Sequence, residues 1–199
     1  MTVKVAITYG PAHFSYGLIQ FLGLSPMSID DVCDSLKGRG EHFRATIITL
    51  WRKRLPPSVI DKMLQSRKEA ESLLYDPDWN VRCAAFSFLQ HYWKAACRVD
   101  FARKCEEIGL QDVHPQVRSI ALTTLGICHE NTDDVRVGKL LAQVVLDDSQ
   151  PPEARRGAYF GLHYLREPIL RWPTMKRLPA VDLVPEDFDW SFVKSFCDR

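Results

Sequence analysis

Along the middle of the chain, apolar residues return at helical rather than strand intervals. Val81, Ala85, Phe86 and Leu89 are spaced so that they share one face of a helix. The run is not isolated. Leu74, Asp76, Val81, Arg82, Ala85 and Leu89 reappear thirty-six residues on as Leu110, Asp112, Val117, Arg118, Ala121 and Leu125. A third copy starts at Leu146 and Asp148, slips by one residue at Pro151-Pro152, and continues as Ala154, Arg155, Ala158, Tyr159 and Leu162. Behind each first helix a second one repeats at the same interval, through Val99/Val135, Phe101/Val137, Arg103/Lys139 and Ile108/Val144. A period of this size marks stacked units, none of which buries its apolar face without a neighbour.

The pattern predicts helices at residues 14–23, 28–37, 41–54, 57–75, 78–93, 97–109, 115–129, 133–146 and 152–166. Asp76, Asp112 and Asp148 stand at expected helix starts, each with a proline within three residues (Pro77, Pro115, Pro151), as an N–H acceptor followed by a first-turn proline requires. Ala85, Ala121 and Ala158 are small enough for close helix approach. Arg82, Arg118 and Arg155 would reach along the stack to an Asp or to the carbonyl ends of a neighbouring unit. These six Asp and Arg residues are therefore expected to be structural. After Leu165, Pro168, Pro173, Pro179 and Pro185 exclude a long helix. A short amphipathic helix then follows at residues 187–196, whose Phe188, Trp190, Phe192, Val193 and Phe196 either pack back as a lid or dock into a partner.

The string Asp76-Pro77-Asp78-Trp79-Asn80-Val81-Arg82-Cys83-Ala84-Ala85-Phe86 resembles the start of a HEAT-like repeat of the kind common in bacterial proteins. A fainter copy lies upstream in Phe43, Arg44, Ile47, Ile48 and Trp51, with Gly38 where the leading Asp would be. The resemblance implies an all-α chain: an α-solenoid of about four to five helical hairpins with a less regular C-terminal tail. It divides a single domain over residues 1–199 into capping helices (1–40), repeats (41–166) and the Pro-rich tail (167–199). In this architecture the second helices usually line the concave face. That nominates Arg98, Arg103, Lys104, Arg136, Lys139 and Gln143 as partner-contacting residues, with Arg52, Lys53 and Arg54 as a basic patch upstream.

Charge changes the picture locally. The net charge is +1, which removes the whole-molecule argument for nucleic acid. Residues 37–68, however, hold nine Lys and Arg against two acidic residues. Such a stretch is either a solvated helix face or a docking surface for an acidic partner. The six cysteines lack any Cys-x-x-Cys pair and read as free thiols, and no apolar run has the length of a signal peptide or membrane span. A reducing cytoplasm is the expected home.

No His-Glu-x-x-His, P-loop, dinucleotide fingerprint or Gly-x-Ser-x-Gly occurs, so no metal, cofactor or catalytic residue is expected. Gly157-x-x-x-Gly161 reads as tight helix packing. His91-Tyr92-Trp93, His129 and His163-Tyr164 end successive first helices and would either form a ligand-holding ridge or fill the wedge between units. The leading expectation is a non-enzymatic module that binds another protein bearing an acidic segment, as adaptor, inhibitor or immunity-like factor. Two other resemblances compete with it. HEAT-like DNA glycosylases use a basic concave face, aromatics and a carboxylate, for which no residues here take the corresponding places. HEAT-like bilin lyases share the repeat alone.

Overall fold

The computed structural model describes residues 48–49, 51–93, 99–166 and 184–198. Among them the chain is all-helical, with eight α-helices and no strand. In chain order these are α1 (Pro57–Gln65), α2 (Arg67–Ser72), α3 (Trp79–Ser87), α4 (Val99–Gln111), α5 (Pro115–Cys128), α6 (Val135–Leu146), α7 (Pro152–Arg166) and α8 (Trp190–Lys194). The helices expected at 14–23 and 28–37, and most of the one at 41–54, lie outside the described residues.

Two of the expected helices are interrupted, each for a local reason. The helix expected over 57–75 is broken at Ser66, whose backbone is extended and whose hydroxyl accepts the Glu69 N–H at 3.1 Å. Ser66-Arg67-Lys68-Glu69 has the Ser-x-x-Glu spacing of a helix start, so a second helix begins there. The helix expected over 78–93 ends as α3 at Ser87 and then widens into one π-helical turn, Phe88–Tyr92. The Trp93 N–H closes that turn on the Phe88 carbonyl. The Trp93 indole N–H donates to the Met63 carbonyl at 2.9 Å, one of the acceptors left free at the end of α1.

Among the first helices, α5 packs on both α3 and α7. The α5–α7 crossing is the closest, because glycines remove side chains from it. A Cβ at Gly157 would stand 2.3 Å from the Ser119 carbonyl oxygen, and one at Gly126 would stand 2.3 Å from that of Gly161. The gain of about 1 kcal/mol that alanine brings to a helix interior is too small to offset such a clash with backbone. Thr123 ties the pair further, donating its hydroxyl to the carbonyls of Ser119 and Gly157. The core between the helices is continuous, from Trp51 and Ile60 through Phe86, Phe101 and Leu122 to Leu162 and Phe196.

The repeated Arg positions join helix ends to linkers. The Arg82 guanidinium forms two 2.8 Å bonds to the Asp112 carboxylate, one unit on, and donates through Nη1 to the Asp76 and Pro77 carbonyls. Arg118 donates to the Gly109 carbonyl at the end of α4 and, one unit on, to the Gln150 side chain. Arg155 donates to the Val145 carbonyl at the end of α6 and pairs with Asp148 at 2.8 Å, within its own unit. In each case the arginine covers carbonyls that a helix end or linker leaves without N–H donors.

The Asp positions are corrected by two residues. Asp76 and Asp112 do not cap helices; each accepts the N–H two residues on, from Asp78 and His114. Those residues are the N-caps of α3 and α5. In the third unit the extra residue moves this role to Asp147, which accepts the Ser149 N–H, and leaves the Asp148 side chain 89 % exposed.

Candidate functional site

The second helices are cross-linked by charge. Lys104 on α4 meets Glu71 on α2 at 2.6 Å, and Arg67 on α2 pairs with Glu71 and reaches Asp100 on α4 at 3.5 Å. Arg136 on α6 makes a two-pronged contact with Glu106 on α4, both bonds 2.9 Å long. Hydrogen bonding to Glu106 raises the Arg136 pKa, against a smaller opposing effect of burial. These contacts run α2 to α4 to α6.

The pairing divides the expected contact residues into two sets. Lys104 and Arg136 are engaged within the molecule, so they contribute much less positive potential than their charges suggest. Arg103 is exposed, Lys139 half-buried and Gln143 exposed, and neither Arg103 nor Lys139 has an ion pair among the described residues. Arg52, Lys53 and Arg54 are all exposed, upstream of α1. Arg98 lies outside the described residues.

A groove of about 450 Å³ adjoins this face, between the end of α2 and the end of α4. Its walls include Tyr75, Glu107, Gln111 and Val113, and the Arg82–Asp112 pair lies in its floor. Val113 is 94 % exposed and Tyr75 55 % exposed, so apolar surface is presented beside charge. Burial raises the Tyr75 phenol pKa, with Glu107 adding to it and Lys104 and Arg103 opposing. The phenol therefore stays a neutral donor and acceptor within reach of those charges. Sequence reasoning passed over Tyr75 and Val113. An aromatic and a valine in linkers that carry no helical periodicity were the available signal.

The aromatic residues at the first-helix ends do not gather into one ridge. Trp93 is held against α1, and His129 lies 3.5 Å from Asp134 in the α5–α6 linker. In that linker Asn131 and Asp133 take left-handed backbone conformations (φ 58° and 52°), which aim their N–H groups at the Tyr164 and Leu165 carbonyls in the last turn of α7. His163 and Tyr164 are buried. His163 is stacked on Phe192 at 4.3 Å and edge-on to Tyr159 at 4.8 Å, beneath residues 184–198. Burial pushes its pKa down to about 4, with Asp189 opposing and Arg166 reinforcing the shift. The side chain of His91 lies outside the described set.

Cys83 and Cys105 are buried and free, Cys128 is half-buried and Cys197 exposed. Burial pushes the Cys83 thiol up to about 12, away from the thiolate that nucleophilic chemistry needs. No group of three or more His, Cys, Asp or Glu among the described residues is placed to hold a metal, and no described helix is long and apolar enough to cross a membrane. No protein-family model, no curated protein and no solved structure matches this chain.

Proposed function

We propose that the chain is a short α-solenoid of HEAT-like hairpins that binds another protein through the face of α2, α4 and α6. The observation that carries this reading is the ladder of ion pairs from Glu71–Lys104 to Glu106–Arg136, which braces three second helices into one surface. A braced surface loses little conformational freedom on binding, which is how a broad interface retains affinity without deep pockets. Arg103 and Lys139 stand on it with positive charge to offer, and the Tyr75–Val113 groove supplies apolar contact at its edge. Aromatic and apolar anchors beside unspent cations suit a protein segment of acidic character.

The test is affinity capture of the tagged chain from nuclease-treated lysate of its source. Wild type is compared with the double variant Arg103→Glu/Lys139→Glu, both of which carry helix-tolerant residues at outward positions. A stoichiometric protein partner retained by wild type and lost by the variant is the expected result. Equal capture by both would remove the face from the reading. Nucleic acid recovered in place of protein, once nuclease is omitted, would overturn protein binding.

A further inference from the structure

Residues 184–198 are seated on α6 and α7 in the manner of a bound peptide. Phe188 stacks flat on Tyr159 at 4.3 Å, and the Asp189 N–H donates to the Tyr159 hydroxyl. Phe192 stacks on His163, and Phe196 lies under the Arg166 guanidinium, 3.9 Å from ring centre to charge. Residue 138 is glycine where Phe196 enters: a Cβ there would come within 2.6 Å of that ring. Phe192 lies in α8, Phe188 precedes it in extended backbone and Phe196 follows it in a turn, so one helical turn and its two flanks supply the three rings. Around them stand Glu186, Asp187 and Asp189, while Arg155 faces Trp190 and Arg166 faces Phe192 and Phe196. The segment is acidic and aromatic; the groove is aromatic and basic.

The segment has little local structure of its own. α8 has five residues, too few to be a stable helix alone, so its order depends on being docked. Docking covers the Arg166 guanidinium, whose Nη1 donates to the Ser195 hydroxyl at 2.7 Å, whose Nη2 is buried without a hydrogen-bond partner and whose Nε lies 3.5 Å from Asp133. Leaving such donors poorly satisfied offsets part of the gain from burying Phe188, Val193 and Phe196.

We propose that the groove along α6 and α7 is a second binding site, which takes an acidic, aromatic segment of a partner protein, and that residues 184–198 occupy it as a built-in competitor. The inference rests on the reading of the chain as a protein-binding module but on a different surface. Charge reversal at Arg103 and Lys139 leaves this groove intact, so the two can fail separately.

A labelled synthetic peptide of residues 184–198 tests it by fluorescence anisotropy on the full chain. The tethered segment competes at high effective concentration, so wild type should bind the peptide weakly. The variant Phe188→Ala/Phe196→Ala, which alters only the competitor, should bind it at least tenfold more tightly, and a peptide carrying the same two substitutions should not bind. Equal affinity for wild type and a variant with unchanged helical circular dichroism would overturn the proposal. Hydrogen exchange on the wild-type chain needs no variant. Amides of Phe192 and Val193 should exchange while those of Leu141 and Leu162 stay protected; exchange of all four together would overturn it, as would a wild-type chain that dimerises through this segment.

Discussion

Arg82 and Asp112 are both about nine-tenths buried, and their twin 2.8 Å bonds link one unit to the next. In such a site the pair itself adds little net stability, because two charges have left water; removing one partner is what costs heavily. Asp112→Ala strands the guanidinium and also removes the acceptor for the His114 N–H at the start of α5. The expected loss is about 3–5 kcal/mol in urea-unfolding free energy. Arg82→Met/Asp112→Leu should recover most of that loss, since no charge is then left buried. The outcome against this account is a double variant no more stable than Asp112→Ala. By contrast the surface pairs on α4 and α6 are open to water, and Arg136–Glu106 is expected to contribute little beyond orientation.

The docking of α8 on α6 and α7 makes stability depend on pH through His163. Its pKa is about 4 in the fold against about 6.5 in the unfolded chain, so between those values the unfolded state holds the extra proton. Stability therefore falls as pH falls from about 6.5 to about 4, by up to about 3 kcal/mol in all. Asp189 and Arg166 face the imidazole with opposite effects, so burial sets the direction. The urea midpoint of wild type should drop across this window, and His163→Phe should flatten that part of the drop; an identical slope in both proteins would contradict it. At this scale the helices α4 to α7 were legible in the sequence through the 36-residue period, and for α5 and α7 the proline starts state the same boundary a second time. The Ser66 break was legible too, in its Ser-x-x-Glu string, but a continuous apolar pattern over 57–75 masked it. The π turn at Phe88–Tyr92 left no such mark, since the repeated pattern ends at Leu89 and no later position reports the wider spacing. The pairing of Lys104 and Arg136 was hidden for another reason: residues thirty or more apart choose partners only once the helices are set side by side.

Among the described residues, α5 packs on both α3 and α7, ion pairs join α2 to α4 and α4 to α6, and residues 184–198 pack on α6 and α7. Glycine contacts knit α5 to α7, arginines from the first helices cover the ends of α4 and α6, and in the proposed function α2, α4 and α6, tied by ion pairs, offer Arg103, Lys139 and the Tyr75–Val113 groove for contact. That division of labour is the central claim, and hydrogen exchange of the chain with and without its captured partner tests it most directly. The account predicts that slowed exchange on binding concentrates in α2, α4 and α6 and in the linkers around Tyr75 and Val113. Slowing confined to α3, α5 and α7 would contradict it.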